Sequence, residues 1–352
     1  MVDVTKPVRW GIIGCGNVTE VKSGPGLQLA EGSELVAVMR RNEALAQDYA
    51  QRHGVPRWYG DADALINDEQ VDAVYIATPP DSHLHYTQRV AAAGKPVYVE
   101  KPMARTGAEC EQMVQACAQA EVPLFVAFYR RRLPIHLQVE ALLTEGVIGT
   151  PRFVNIRHVG IFGPEDDNEV PWRVVPEIAG KGGYFHDLAS HQLDLLDYLL
   201  GAIEPASGVA VNLGGHYACD DTVTAAWRHN SGIVGSGTWC FVAGDGLPSE
   251  EIEIVGNEGR INFTAFSLDQ PIRLQRGTKT EEFSAPCPEH VQQPLIQSLV
   301  DELRGRGTCP STGISALRTA RVMDQILGVA YNVRGSLAVP HDVGSVPPPS
   351  RS

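Results

Sequence analysis

The segment Val71–Met103, VDAVYIATPPDSHLHYTQRVAAAGKPVYVEKPM, contains two apolar runs separated by an alanine-rich stretch. The runs VDAVYIA and VYV have the length and apolar character of buried strands, and HLHYTQRVAAAG is typical of a helix that ends at Gly94. A strand, a helix and a second strand in this order predict parallel pairing. The residues Glu100, Lys101 and Pro102 then lie at the carboxyl end of the second strand, where ligands bind in open α/β sheets.

The same alternation of strand-like and helix-like runs extends over Val8–Arg131, which predicts a parallel, doubly wound sheet. After Arg132 the runs become short and alternating, with glycine or asparagine turns between them, as in an antiparallel sheet. Helices are expected at Gly182–Gly201 and Ile314–Val333. The predicted fold class is α/β, with a dinucleotide-binding Rossmann domain over residues 1–128, an α+β substrate and oligomerisation domain over 129–335, and a Pro/Ser-rich tail over 336–352.

Composition places the chain among soluble globular proteins, because 43% of its 352 residues are hydrophobic and 20% are charged. A net charge of -13 argues against general affinity for nucleic acid or anionic membranes. The seven cysteines are scattered without a CxxC pair, so we expect reduced thiols in a cytoplasmic protein. No run is typical of a signal peptide or a membrane span.

A glycine-rich turn follows the first predicted strand, Val8–Ile13. Gly14 and Gly16 occupy the first two positions of a G-x-G-x-x-G fingerprint, in which glycine lets a pyrophosphate approach backbone N–H groups at a helix N-terminus. We therefore expect the run Gly14, Gly16, Asn17 and Val18 to contact a dinucleotide. Thr19 stands at the third glycine position and is expected to loosen the helix–strand contact slightly.

Two arginines follow the second predicted strand, where an acidic residue would favour NAD. Arg40 and Arg41 suit a 2′-phosphate instead, through charge-assisted and bidentate hydrogen bonds. A solvated basic pair is the simpler alternative, but such a pair at a helix start opposes the helix dipole unless an anion binds there. The pattern favours NADP(H), with NAD(H) possible.

The helix predicted over Gly182–Gly201 carries Asp187, His191 and Asp194 at positions i, i+4 and i+7, on one face. Such a row suits general acid–base catalysis, in which a carboxylate orients an imidazole. A salt-linked or N-capped helix start explains the same spacing equally well. Metal binding is conceivable, but no further ligand cluster stands out, and we predict no metal.

Four motifs together resemble the glucose–fructose oxidoreductase / inositol dehydrogenase family, Gfo/Idh/MocA. They are GIIGCGN, ATPPDSH, GKPVYVEKPM and WR…AGKGGYFHDLASHQLD, and the resemblance extends over Val8–Val333. It implies a Rossmann domain followed by an α+β domain with an open, mostly antiparallel sheet that supports a homodimer or homotetramer. It also implies hydride transfer between nicotinamide and a secondary alcohol or ketone of a sugar or cyclitol.

The resemblance also implies roles for individual residues. Lys101 is the lysine expected to bind the reacting hydroxyl and the cofactor ribose, His191 the proton donor or acceptor, Asp187 its orienting partner, and Asp194 a weaker third position. The remaining residues expected to touch the cofactor are Thr78, Pro79, His83, Glu100, Trp172 and Arg173. Those expected to touch the substrate are Lys101, Tyr129, Arg130, Asp187 and His191.

Departures from the family pattern leave some alternatives open. Lys181 stands where many members have glycine and is expected to place a cation at the mouth of the site. Arg130 and Arg131 favour an anionic or heavily hydroxylated substrate, or else they pair with acidic residues. Two other functions remain possible, namely tightly bound NAD(P) used transiently in elimination or glycoside cleavage, and a non-enzymatic NADP(H) sensor. Dihydrodiol oxidation is an alternative to sugar chemistry.

Overall fold

The first sheet is built from six parallel strands, in a computed structural model that describes residues 4–161, 170–244 and 247–328. The strands are Val8–Ile13 (β1), Ser33–Met39 (β2), Arg57–Tyr59 (β3), Ala73–Ile76 (β4), Val97–Val99 (β5) and Leu124–Val126 (β6). Their order is β3-β2-β1-β4-β5-β6. This is the doubly wound order, which opens a ligand crevice where the strand order reverses beside β1. The predicted parallel sheet is confirmed.

Helices connect these strands, and their ends follow local sequence signals. They are Asn17–Val21 (α1), Gly24–Leu29 (α2), Glu43–His53 (α3), Ala62–Ile66 (α4), His83–Ala92 (α5) and Gly107–Gln119 (α6). The side chain of Asn42 caps α3 by accepting a hydrogen bond from the N–H of Leu45, and Gly54 ends α3 with φ 66°. Thr106 caps α6 in the same way.

Alternate residues of the first sheet pack into two different hydrophobic cores. On one face Trp10, Tyr75 and Tyr98 are fully buried, and the ring centroids of Tyr75 and Tyr98 lie 4.7 Å apart. On the other face Ile76 and Val99 pack against helices. Full burial of such aliphatic side chains contributes roughly 1.5–3 kcal/mol each. The strand ends that carry the candidate site are therefore firmly anchored.

The second sheet has eight strands among the described residues. They are Pro151–Val159 (β7), Ile203–Val211 (β8), Thr222–His229 (β9), Val234–Cys240 (β10), Ser249–Gly256 (β11), Arg260–Phe263 (β12), Ile272–Arg276 (β13) and Lys279–Phe283 (β14). The order is β14-β13-β12-β11-β7-β10-β9-β8, in which β7 and β10 pair in parallel and the other neighbours are antiparallel. The expected mostly antiparallel sheet is confirmed.

Five further helices cover this part of the described chain. They are Pro134–Thr144 (α7), Pro176–Ala179 (α8), Ser190–Leu200 (α9), Gln293–Leu303 (α10) and Gly313–Ile326 (α11). The segment before α11 returns to the first sheet. The N–H of Val126 donates to the carbonyl of Ser311 over 3.1 Å, and the hydroxyl of Ser311 donates back to the carbonyl of Val126 over 2.7 Å.

Some local predictions need correction. The strands β3 and β14, with three and five residues, were not expected from the sequence. The segment predicted as one helix over Gly182–Gly201 begins with turns and a π-helical turn, Phe185–Ala189, before α9. The helix predicted to reach Val333 is described only as far as Ile326, and the predicted tail, 336–352, lies outside the described residues. The domain bounds stay predictions.

None of the helices in the described part of the chain combines the length and the apolar character needed to cross a bilayer.

A buried ion pair ties the turn after β6 to α9 and to the segment before α11. Arg131 donates to both carboxylate oxygens of Asp194 over 2.7 and 2.6 Å, and to the carbonyl of Pro310 over 2.7 Å. The side chains of Arg131 and Asp194 are only 2% and 1% exposed. The pair therefore joins three elements that are distant in the sequence.

We expect Arg131→Met to lower the free energy of unfolding by roughly 3–5 kcal/mol, because it leaves the Asp194 carboxylate buried without its partner. Urea denaturation followed by circular dichroism measures the change. Arg132→Met is the matched control, because Arg132 lies on the same turn, is half-buried, and its side chain forms no hydrogen bond with the described residues. Equal stability of the two variants would contradict a structural role for the ion pair.

Candidate active site

A cavity of about 870 Å³ lies at the carboxyl ends of the first sheet, between that sheet and the second half of the chain. Its volume falls in the range of small-molecule and cofactor sites, roughly 300–1,000 Å³. Most of the residues that the sequence singled out line it, namely Gly14, Gly16, Asn17, Val18, Arg40, Arg41, Thr78, Pro79, Glu100, Lys101, Tyr129, Arg130, Trp172, Arg173, Asp187 and His191.

The glycine-rich turn forms one wall of the cavity. Gly14 has φ +92°, and a Cβ there would lie 2.7 Å from the side chain of Thr78. A Cβ on Gly16 would meet no protein atom closer than 3.8 Å. The space beside the Cα of Gly16 is therefore not filled by protein atoms and opens into the cavity, as close approach of a pyrophosphate requires.

Thr19 fits the turn without loosening it. Its side chain is completely buried, and its hydroxyl donates to the carbonyl of Gly16 over 2.8 Å. The hydroxyl of Tyr49 in turn donates to the carbonyl of Thr19 over 2.9 Å. The expected weakening of the helix–strand contact is therefore not observed, because these hydrogen bonds hold the residue in place.

Arg40 and Arg41 lie at the end of β2, on the cavity and exposed to solvent. Neither arginine forms an ion pair with the acidic residues that the structure describes. Both guanidinium groups are therefore available to an anionic ligand at this end of the cavity.

Hydrogen bonds to Glu100 and Asp187 hold Lys101 at the end of β5. Its N–H donates to the carboxylate of Glu100 over 3.0 Å. Glu100 is 6% exposed, and it also accepts hydrogen bonds from the hydroxyl of Tyr75 and the amide of Gln292, each over 2.6 Å. Gln292 lies 192 residues away in the chain and itself lines the cavity. Glu100 thus anchors the lysine backbone from beneath the cavity.

Asp187 lies in the π-helical turn Phe185–Ala189 and contacts two cations. Its carboxylate accepts from the Nζ of Lys101 and, over 3.2 Å, from the Nε of Arg173. The Nζ of Lys101 also donates to the backbone carbonyl of Asp187 over 3.0 Å. Burial alone would raise the pKa of Asp187, but the charges of Lys101 and Arg173 outweigh it and hold the pKa below its usual value.

His191 lies in the first turn of α9, packed among aromatic rings. The ring centroids of Tyr129 and Phe266 are 5.3 and 5.9 Å from the imidazole centroid, and the side chain is 3% exposed. Burial lowers the pKa of His191 well below its usual value, and the charges of Arg130 and Lys101 lower it further. His191 is therefore neutral at physiological pH.

The expected orientation of His191 by Asp187 is not observed. None of the described hydrogen bonds joins the two side chains, and the Nδ1 of His191 is buried without a hydrogen-bond partner among the described residues. The physical reason is local, because two cations compete for the Asp187 carboxylate and the π-helical turn changes which residues share a face. Asp187 orients Lys101 instead.

Three other expectations are also corrected. Asp194 is buried against Arg131 and does not line the cavity. His83 is completely buried, with its ring nitrogens 3.1 and 2.7 Å from the carbonyls of Met103 and Thr78, so it supports the cavity wall without lining it. Lys181 is exposed and does not line the cavity.

Sequence patterns missed several residues on the cavity wall, chiefly Lys22, Leu188, Phe266 and Gln292. Leu188 follows Asp187 in the chain, so the motif that contains Asp187 could have indicated its place on the cavity wall. Phe266 and Gln292 come from connections of the second half, where no motif marks them. Only the folded contacts reveal their place.

The described residues contain no group of three or more His, Cys, Asp or Glu side chains arranged to hold a metal ion. The cavity instead combines a glycine-rich anion cradle, a lysine with an ionised partner and a neutral buried histidine. These groups can bind a nucleotide, polarise an oxygen and accept or return a proton.

Comparisons with known proteins identify the family of this chain. Residues 8–128 match the Gfo/Idh/MocA oxidoreductase family with its NAD-binding Rossmann fold, and residues 136–262 match the Gfo/Idh/MocA C-terminal domain. The chain is 40% identical to Oxidoreductase P35 of Formosa agariphila, over 91% of this chain and 98% of that protein. It is 30% identical to trans-1,2-dihydrobenzene-1,2-diol dehydrogenase of Danio rerio, over 83% of this chain and 84% of the relative.

A solved structure shows the same fold. An oxidoreductase from Agrobacterium radiobacter, in complex with NAD+, L-tartaric acid and magnesium, superposes with a TM-score of 0.80 at 22% sequence identity. The superposition covers 94% of this chain and 98% of that chain.

Beside Asp187, the histidine His186 makes stability depend on pH. It is 2% exposed, its Nδ1–H donates to the carbonyl of Ala179 over 3.2 Å, and burial lowers its pKa to about 4. In the unfolded chain the pKa returns to roughly 6.5. The contribution to stability is therefore complete above about 6.5 and is lost as the pH falls from there towards about 4.

The free energy of unfolding decreases as the pH falls from 7 to 5. We expect this decrease to be smaller by roughly 2 kcal/mol in His186→Gln. Urea denaturation at the two pH values measures it. The control is His216→Gln, because His216 is exposed. An unchanged pH dependence in His186→Gln would show that another group controls acid stability.

Proposed function

This chain belongs to the Gfo/Idh/MocA family of oxidoreductases, and we propose that it prefers NADP(H) and interconverts a secondary alcohol and a ketone on a sugar or cyclitol. The observation that carries the proposal is the convergence of Lys101, Asp187 and His191 on one cavity, which the glycine-rich turn also lines. The three side chains come from the end of β5, the π-helical turn and α9.

The cofactor would occupy the wall formed by Gly14 and Gly16, with Arg40 and Arg41 binding the 2′-phosphate. Support comes from the free space at Gly16 and from the two guanidinium groups, which form no ion pair with the acidic residues that the structure describes. Thr78, Pro79, Glu100 and Trp172 would complete that wall, together with Asn17, Val18 and Arg173. A bound nicotinamide supplies the chemistry of hydride transfer.

The remaining residues position the substrate and move its proton. The ammonium group of Lys101 donates to the reacting oxygen and polarises it, while Asp187 keeps the lysine in place. The neutral imidazole of His191 accepts the hydroxyl proton during oxidation and returns it during reduction. Tyr129 and Arg130 bind the substrate away from the reacting carbon.

A second candidate substrate is an aromatic dihydrodiol. The relative from Danio rerio is named trans-1,2-dihydrobenzene-1,2-diol dehydrogenase. Aromatic side chains that line the cavity, Tyr129, Trp172 and Phe266, would pack against such a ring. The same catalytic groups would act on its hydroxyl.

Assembly as a homodimer or homotetramer is part of the proposal. The outer face of the second sheet exposes apolar side chains, with Phe153 41%, Val209 67% and Val234 53% exposed. Phe153 and Val234 are paired neighbours on β7 and β10. An exposed sheet face with such apolar side chains suits contact with a second copy of the chain.

Lys101→Met should lower kcat by roughly 100- to 10,000-fold, because the variant cannot polarise the reacting oxygen. Fluorescence titration should show NADPH binding within a few-fold of the unaltered protein, which also verifies the fold. Lys181→Met is the control and should keep its turnover, since Lys181 lies outside the cavity. Near-normal turnover by Lys101→Met would remove the lysine from the mechanism.

Arg40→Asp should shift the ratio of kcat/KM for NADP to that for NAD by tenfold or more towards NAD. The reason is the loss of a charge-assisted hydrogen bond worth roughly 1.5–3 kcal/mol and the repulsion of the 2′-phosphate. Arg152→Asp makes the same charge change on the exposed part of β7 and should leave the ratio unaltered. If both variants keep the original ratio, Arg40 is a surface charge.

A further inference from the structure

Positive charge dominates the cavity although the whole chain carries -13. The lining side chains that carry a positive charge are Lys22, Arg40, Arg41, Lys101, Arg130 and Arg173. The acids on the lining are Glu100 and Asp187, and both already accept hydrogen bonds from protein donors. The cavity is therefore built for a ligand that brings negative charge.

Arg130 is a buried member of this set and forms no ion pair with the residues that the structure describes. Its side chain is 6% exposed, its Nε donates to the carbonyl of Ala265 over 2.8 Å, and its Nη1 is buried with no hydrogen-bond partner among the described residues. The neighbouring Arg131 instead donates hydrogen bonds to both carboxylate oxygens of Asp194. Glu250 interacts with Arg130 through charge alone and leaves Nη1 without an acceptor, which is costly for a buried guanidinium, so a ligand anion would compensate it.

Two aromatic rings fix the plane of the Arg130 guanidinium. Its Cζ lies 4.9 Å from the ring centroid of Tyr129 and 4.3 Å from that of Phe266. With its Nε bonded to the carbonyl of Ala265 and its Nη1 buried, the guanidinium is open to a ligand chiefly through Nη2. A carboxylate oxygen that accepts from this nitrogen forms a charge-assisted hydrogen bond and brings a compensating charge to the whole guanidinium.

A hydrogen-bond network behind the wall sets this geometry. Glu250 accepts from the backbone N–H groups of Ala265 and Phe266, over 2.9 and 3.2 Å, and from the amide of Gln192 over 2.8 Å. The oxygen of that amide accepts from the indole N–H of Trp239 over 2.7 Å. Glu250 thus positions the segment that holds Arg130, and its oxygens are occupied by donors other than Arg130.

The cofactor phosphates do not account for Arg130. They would lie along the turn after β1 and at Arg40, at the end of β2, whereas Arg130 packs against Phe266 from the second half of the chain. The rings of Tyr129 and Phe266 contact both Arg130 and His191. One small molecule can therefore reach the guanidinium and the proposed proton acceptor together.

We propose that Arg130 binds a carboxylate of the substrate, so that the substrate is a sugar acid rather than a neutral sugar. The inference rests on the proposed function, since it names the substrate class of the same site. Arg130 acts as a specificity-determining residue, and the carbon oxidised or reduced is separate from the carboxylate.

The test compares matched pairs on the complex with NADPH, namely D-glucuronate with D-glucose and D-galacturonate with D-galactose. Calorimetry should show at least one acid bound tenfold or more tightly than its neutral partner. Arg130→Gln should reduce that ratio by tenfold or more, and Arg130→Lys should restore part of it. Arg132→Gln, on the same turn, should keep the original ratio.

Equal or tighter binding of both neutral sugars by the unaltered protein would overturn the inference, and so would absence of binding by both acids. A ratio retained in Arg130→Gln would also overturn it. NADPH titration of each variant verifies that it folds. If a variant does not fold, the affinities of the unaltered protein for acids and neutral sugars still test the inference. Turnover of neutral sugars with NADP+, at rates equal to those of the acids, would remove the carboxylate alone, whereas failure to bind NADPH and NADH would remove the proposed function.

Discussion

The carboxylate of Asp187 lies between two cations, and the shape of the cavity depends on that contact. Lys101 comes from the end of β5, Arg173 from the turn Trp172–Val174, and Asp187 from the π-helical turn before α9. The carboxylate is stable in its buried position because both cations compensate its charge. The same contact fixes where the second half of the chain meets the first sheet, and hence the width of the cavity.

The sequence was most informative where local rules and burial agree. Buried strands such as Val97–Val99, with helices between them, allow only a parallel arrangement, and the observed order follows from it. The strand β3 has the same length as Val97–Val99, but its residues are exposed or half-buried, so it lacks the apolar run that marks a buried strand. The π-helical turn Phe185–Ala189 was also beyond prediction, because no residue pattern in this segment distinguishes one π-helical turn from a continuous α-helix.

Most residues of the candidate site could be predicted from the sequence, but the hydrogen bonds and ion pairs between them could not. Lys101 and His191 carry recognisable motifs, and both line the cavity. Which cation Asp187 contacts depends on how two halves of the chain meet, and no local spacing encodes that. Gln292 shows the limit most clearly, because its contact with Glu100 spans 192 residues. His83 supports the cavity wall because its side chain is buried and bonded to backbone carbonyls, which its spacing in the sequence does not indicate.

The return of the chain to β6 has a consequence for synthesis. Ser311 and Thr312 add backbone pairing beside β6, and the N–H of Gly107 at the start of α6 donates to the carboxylate of Asp324. Part of the surface that covers the first sheet is thus made by residues that leave the ribosome some 200 positions later. During synthesis, this flank of the Rossmann half is therefore uncovered until the later residues have been made, and an uncovered strand edge favours aggregation.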